Sequence, residues 1–316
     1  MPFPRFPAEF SSDITSQNTL REPTFSDLAK KLSGNYLTNP SFCGILYRYT
    51  ACGLFFRAAP TGEKTMPRFF VSSADLEEEN GTTRIVLEGP DAAHISRALR
   101  MKPGEELVLC DERGTEYRAR IESAGGQVVC TVLDSAPSET EPPYEAVVYQ
   151  ALAKGDRFDT VLMKATELGA CRIVPVLTAR CTVKPDPKDL PKKRERWQRI
   201  AAEAAGQCGR GRIPKVALPM SFADAVREAA RADLPLFCYE GGGDVKTILL
   251  PRLFEGIDTP KTVSVFIGPE GGFEPFEAEL ARIMGLKICS MGPRILRCET
   301  APVAALSAVM YATGNM

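Results

Sequence analysis

Val263-Ser264-Val265-Phe266-Ile267-Gly268-Pro269-Glu270-Gly271-Gly272-Phe273 lies near the end of a 316-residue chain and changes character halfway along. Val263, Val265 and Ile267 recur at every second position, the period of a β-strand. Gly268-Pro269-Glu270-Gly271-Gly272 then breaks the strand, and its glycines let the backbone take positive φ and approach a ligand closely. The spacing predicts a helix over 275–284, with Gly285 as the residue that ends it. A second short strand over 286–290 leads into a second loop, Met291-Gly292-Pro293-Arg294-Ile295-Leu296-Arg297-Cys298-Glu299. Thr300 is placed to cap a last helix through Thr313, followed by Gly314.

Two strand-ending loops side by side make a crevice at the carboxyl edge of a parallel sheet, where open α/β sheets bind ligands. Their backbone N–H and C=O groups can grip an adenine edge or a carboxylate. Two tight turns without a ligand are the competing reading, since glycine-rich turns are common. The loop is not a phosphate-binding P-loop, having no Gly-Lys-Ser/Thr, and its glycine spacing is not that of a dinucleotide fold.

The length allows two modest domains. With 44% apolar residues the chain can build real cores, yet no apolar run is long enough to span a membrane. Net charge is −1, so any nucleic-acid contact must come from a local basic surface. Ten cysteines are scattered without a C-x-x-C pair, which argues against zinc and against a disulfide framework. We expect no metal, no membrane association and a cytoplasmic protein with reduced thiols. The single histidine, His94, makes a histidine-rich centre implausible.

Residues 1–65 are proline-rich and lack apolar periodicity. A secretory signal does not fit, because Arg5 precedes no sustained apolar core. We expect Met66 to be the natural start and 1–65 to be an untranslated extension or a disordered leader, whose deletion leaves folding and activity intact.

Between 66 and 136, short alternating runs at 84–88, 106–110, 116–122 and 127–134 are separated by glycines, the pattern of a small β-barrel. One helix interrupts them, with Asp91 as its expected cap. Ala92, Ile95 and Leu99 share its apolar face, and His94, Arg97 and Arg100 the opposite one. That basic face is either solvated or an RNA contact. Residues 137–143 read as a linker. From 144 to 316, strands at 145–151, 172–177 and 234–239 alternate with helices at 156–168, 191–205 and 221–232, which implies a parallel sheet covered on both faces. The Lys192, Lys193, Arg194, Arg196 and Arg199 cluster reads by default as a charged outer face.

Ile267-Gly268-Pro269-Glu270-Gly271-Gly272-Phe273, followed by Gly292-Pro293-Arg294-Ile295-Leu296-Arg297 and Glu299-Thr300-Ala301, resembles the SPOUT-type knotted methyltransferases. Within them the pattern is similar to the ribosomal RNA small subunit methyltransferase E family, which methylates N3 of a uridine in small-subunit (16S) rRNA. That resemblance implies a fold and a chemistry. The fold is an α/β SPOUT domain with a parallel sheet and a trefoil knot, preceded by a PUA-like β-barrel. The donor is S-adenosyl-L-methionine. The partners are small-subunit rRNA or an assembled 30S particle, and a second copy of the chain in a homodimer. The family usually has Leu at Met291 and Thr at Cys298, and the second change removes a hydroxyl beside the site.

The implied cofactor-binding residues are Glu240, Gly268, Pro269, Glu270, Gly271, Gly272, Met291, Gly292, Arg294, Ile295 and Leu296. Arg68, His94, Arg97, Arg100, Arg157, Arg180, Gln207 and Arg210 are expected near RNA or the partner subunit. Uridine N3 carries a proton at neutral pH. Arg294 and Arg297 are the candidates for offsetting negative charge on the uracil oxygens, with loop-anchoring ion pairs as the alternative. Glu270 or Glu299 is the candidate proton acceptor. Two other readings stand beside this one: a SPOUT methyltransferase acting elsewhere on RNA, and a non-catalytic RNA-binding assembly factor.

Overall fold

The computed structural model describes residues 66–79, 81–241, 245–255 and 259–316. The expectation for 1–65 lies outside the described residues. Six strands build the first sheet: β1 (Arg68–Phe70), β2 (Leu76–Glu79), β3 (Thr82–Leu87), β4 (Glu106–Cys110), β5 (Thr115–Ala124) and β6 (Val128–Pro137). Their order is β1-β4-β5-β6-β3-β2, antiparallel except for the β1–β4 pair. Alternating residues such as Ile85 and Leu87, Leu107 and Leu109, and Ala119 and Ile121 turn to one side and form a core with Phe69, Ala92 and Ile95. The final strand runs through Pro137, so it takes in the first residue read as linker.

The helix of this half, α1, begins at Gly89 rather than at Asp91 and runs to Ala93. Pro90 sits in its first turn, where a missing N–H costs nothing and a fixed φ helps. Over His94–Ala98 the helix widens into a π-turn, with Leu99 N–H bonded to the His94 carbonyl at 2.9 Å. The wider turn rotates Leu99 off the buried stripe. Leu99 is 42% exposed, against 0% for Ala92 and Ile95.

The second sheet has eight strands, all paired in parallel: β7 (Glu145–Ala151), β8 (Ala170–Leu177), β9 (Lys215–Val216), β10 (Met220–Ser221), β11 (Leu234–Cys238), β12 (Ile248–Leu249), β13 (Thr262–Ile267) and β14 (Lys287–Ser290). Five helices cover it: α2 (Arg157–Glu167), α3 (Leu190–Gln207), α4 (Phe222–Ala229), α5 (Pro275–Ile283) and α6 (Ala301–Ala312). The pleat of β13 shows the division of the faces. Val263, Val265 and Ile267 join Phe158, Leu162, Trp197 and Leu306 in one core. Phe266 points the other way, into a core with Phe222, Val226, Phe237, Phe273 and Ala278. Two buried faces are what a parallel sheet requires.

Strand order is β10-β8-β7-β13-β11-β14-β12, with β9 also on β8. Late in the chain, β13 inserts between β7 and β11, and β14 takes the far side of β11. The carboxyl ends of β13, β11 and β14 are therefore neighbours. The trefoil knot comes to this chain through the resemblance, not through strand order.

Candidate functional site

A cavity of about 920 Å³ opens over those three strand ends. It is lined by Tyr239 to Gly241 after β11, Gly268 to Phe273 after β13, and Met291 to Glu299 after β14. Every residue expected to bind cofactor or to act in catalysis lines this one space, although the loops are far apart in sequence. Its volume suits a ligand of small-cofactor size.

The first loop is held from several directions. Gly272 has φ +67°, a conformation that disfavours any side chain. Gly268 has a different constraint: a Cβ there would meet the Phe273 ring at 3.1 Å. Phe273 packs on Phe237 with ring centroids 4.3 Å apart, which folds the loop back onto the aromatic core. Arg180 grips Glu274 through Nε (2.9 Å) and a terminal nitrogen (3.1 Å), and also donates to the Gly271 carbonyl at 2.8 Å. Glu277, buried at the start of α5, accepts from the N–H groups of Ala179 and Glu274, both at 2.9 Å.

Gln150, wholly buried near the end of β7, was not foreseen from sequence. Its Nε2 donates to the Gly268 carbonyl at 3.2 Å and the Ala151 carbonyl at 3.1 Å. A glutamine inside an apolar parallel strand is the signal that marks it, because such an amide must bond to something.

The two glutamates are engaged. Glu270 Oε1 accepts from the Lys154 N–H at 2.8 Å and from Arg157 at 2.6 Å. Burial pushes Glu270 up, but the Lys154 N–H, its own backbone N–H and Arg157 outweigh it and hold the carboxyl below its ordinary value. Glu299 is likewise lowered: burial opposes, and its own N–H, the Cys298 thiol and the charges of Arg157 and Arg297 prevail. Arg157 Nε lies 4.0 Å from Glu299 Oε2. Cys298, at the position where a hydroxyl was missed, donates its S–H to Glu299 Oε2 at 3.2 Å. Burial first, then that bond, pushes the thiol up to about 12, so it stays protonated and keeps donating. By contrast, the side chains of Arg294 and Arg297 are exposed and make no hydrogen bond or ion pair among the described residues. Arg297 acts on Glu299 of the same loop through its charge alone.

The residues expected near RNA do not form one group. His94, Arg97 and Arg100 are exposed on and after α1, with His94 edge-on to Phe69 at 6.0 Å. Gln207 is exposed at the end of α3. Arg157 and Arg180 belong to the cavity. Arg68 is tied up within the first sheet, 2.7 Å from Glu116 and bonded to Cys110. Arg210 requires a correction. It is 3% exposed and donates to both oxygens of Glu141 and to the Thr166 and Ala170 carbonyls, so it has nothing left to offer RNA. In the α3 cluster, Arg194 and Arg196 hold Val216 and Asp159, while Lys192, Lys193 and Arg199 are exposed. Among the described residues no cluster of three or more His, Cys, Asp or Glu could hold a metal, and no helix is long and apolar enough to cross a membrane.

Comparison with known proteins supplies the remaining observations. The family model described as RNA methyltransferase domain matches residues 140–310, and that described as RNA methyltransferase PUA domain matches residues 87–133. The chain is 33% identical over 250 residues to ribosomal RNA small subunit methyltransferase E of Bacillus subtilis, covering 78% of this chain and 97% of the relative. Among solved structures it is similar to ribosomal RNA small subunit methyltransferase E of Neisseria gonorrhoeae bound to S-adenosyl methionine, with 29% identity, TM-score 0.64, and 78% and 97% of the two chains covered. A structure from Legionella pneumophila with the bound cofactor SAM gives 33% identity, TM-score 0.66, and 78% and 98% coverage.

Proposed function

We propose a function from one premise: this chain belongs to the ribosomal RNA small subunit methyltransferase E family. It is an S-adenosylmethionine-dependent RNA methyltransferase acting on small-subunit (16S) rRNA. In our reading the acceptor is N3 of a specific uridine. The observation that carries the reading is the convergence of both motif loops on one cavity, joined by the end of β11.

The cavity fits the donor chemically as well as in size. Gly268 to Gly272 and Met291 to Leu296 line it, and in our reading their backbone groups hold the adenosine and methionine parts, with Glu240 at the ribose or methionine end. When bound, S-adenosylmethionine supplies an activated methyl group that needs no metal. The protein's part is alignment, which can be worth roughly 7–11 kcal/mol, and management of the uracil charge. A general base works best with a pKa near the operating pH. Glu270 and Glu299 are held below the ordinary carboxylate value, which makes them weak bases and steady anions. Arg294 and Arg297, which make no hydrogen bond or close ion pair among the described residues, are the groups we assign to the negative charge that develops on the uracil oxygens as the N3 proton leaves to water. The target base must be splayed from the RNA to reach them.

We assign residues 66–136 to a PUA-like RNA-binding domain and 144–316 to the methyltransferase domain, joined by 137–143. His94, Arg97 and Arg100 are the RNA contacts we favour in the first domain. A homodimer, an assembled 30S particle as substrate and a cytoplasmic location complete the proposal. Val303 and Met310 of α6, half-buried, and Ile295, 79% exposed beside the cavity, supply apolar surface for a second copy.

Mass spectrometry of small-subunit rRNA from cells lacking the gene tests the assignment. The expected result is loss of one N3-methyluridine, restored by the wild-type gene. An unchanged modification profile defeats it. Calorimetry with S-adenosylhomocysteine separates an enzyme from a non-catalytic RNA-binding protein, which would give no heat of binding.

A further inference from the structure

Strands β13 and β14 carry the two cofactor loops, but β11 lies between them. The ladders of β11 with both neighbours set the strand ends about 10 Å apart, two strand widths, but no ladder continues into the loops beyond those ends. Each loop carries a carboxylate near Arg157, Glu270 in the first and Glu299, beside Arg297, in the second, and both are ionised at neutral pH. Left alone, two such anions would push the loops apart.

Arg157, the first residue of α2, stands between them. One terminal nitrogen lies 2.6 Å from Glu270 Oε1, and its Nε lies 4.0 Å from Glu299 Oε2. The Lys154 N–H adds a second tie to Glu270 from the same segment. The guanidinium donates a hydrogen bond to Glu270 and, at 4.0 Å, attracts Glu299 through its charge, with Nε turned to that side. The three side chains are partly exposed, and exposed ion pairs add little to stability. Their value lies in geometry.

We propose that Arg157 is a positioning residue that sets the gap between the two cofactor loops, and so the width of the methyl-donor site. The proposal rests on the methyltransferase reading above, and it replaces the expectation that Arg157 contacts RNA.

The test compares wild type, Arg157→Met and Arg157→Lys in the full chain by three measurements: S-adenosylhomocysteine calorimetry, thermal melting, and salt-dependent binding of a small-subunit rRNA fragment. For Arg157→Met we expect S-adenosylhomocysteine affinity to fall by about tenfold or more, as misplacement of site groups does, with little change in melting temperature. Arg157→Lys should recover part of that affinity, and the salt slope for RNA should match wild type in both variants. S-adenosylhomocysteine affinity within about twofold of wild type in Arg157→Met, together with a salt slope reduced by about one, would make Arg157 a phosphate contact and overturn the proposal. Should Arg157→Met not fold, Arg157→Lys alone decides: affinity equal to wild type counts against a shared grip on both carboxylates. Failure of wild type itself to bind S-adenosylhomocysteine would instead strike down the methyltransferase reading.

Discussion

Arg297 and Arg294 sit in the cavity with no hydrogen bond or close ion pair among the described residues, Arg297 acting on Glu299 only through its charge, while Arg157 and Arg180 in the same cavity are bonded to carboxylates. That difference decides which cations are available to substrate. Arg297→Met is expected to lower kcat by about 10²–10³, the cost of losing one preorganised charge-stabilising group, while S-adenosylhomocysteine affinity stays within about twofold. Single-turnover kinetics beside calorimetry checks this, and an equal loss in both quantities would make Arg297 a cofactor ligand. The glutamates give a pH prediction. Their folded-state pKa values lie below the unfolded value of about 4.3, so their contribution is present above that value and is lost as pH falls through the folded pKa. The share of folding stability owed to these two carboxylates should therefore be constant from pH 7 to 5 and be lost only at pH values below the ordinary carboxylate range, with a smaller loss in Glu270→Gln, as thermal melting against pH would show. A drop already complete at pH 5 contradicts the assignment. At Cys298, sequence reasoning saw a missing hydroxyl, whereas the side chain retains the donor function as a thiol. The chemistry of one atom was legible, but its bonding partner was not.

At the scale of elements, alternation and end signals carried most of the reading. The Glu145–Ala151 and Glu106–Cys110 strands match their expected bounds, and α5 ends as its glycine implied, with Gly285 at φ +97°. Helix α1 was less legible: a π-turn leaves no compositional mark, and Asp91, expected as the cap, lies inside the first turn instead. Thr300 occupies the cap position of α6, yet its side chain makes no capping bond. The glycine loop gives a prediction of its own. In Gly272→Ala the new Cβ would have room, 3.9 Å from the nearest Glu240 oxygen, so the cost is conformational, about 1–2 kcal/mol for an L-residue held at positive φ. Chemical denaturation should show that loss, with weaker S-adenosylhomocysteine binding. Unchanged stability would mean the loop relaxes to a different turn.

For the whole molecule, the junction between the two sheets is pinned by Arg210. It bonds both oxygens of Glu141 at 3.2 and 2.5 Å, while Gly211 and Arg212 N–H groups bond Thr140 and Glu141. Removing one partner of a buried pair strands the other, so Arg210→Met should destabilise by about 3–5 kcal/mol. The RNA salt slope should not change, and a lower slope at unchanged stability would return Arg210 to the RNA surface.

The chain by itself determined its local vocabulary: two glycine-bearing loops, the alternation that makes their strands, the helices between them, and a motif order specific enough to name a family resemblance. Those features depend on residues a few positions apart, where backbone geometry and hydrophobic period act directly. Only the tertiary structure decided that β13 slips between β7 and β11, bringing three strand ends under one cavity. It also decided which charges are spent and which are free. Arg157 finds Glu270 across 113 positions of sequence and Arg210 finds Glu141 across 69. Such pairings are set by distances in space that no local pattern encodes.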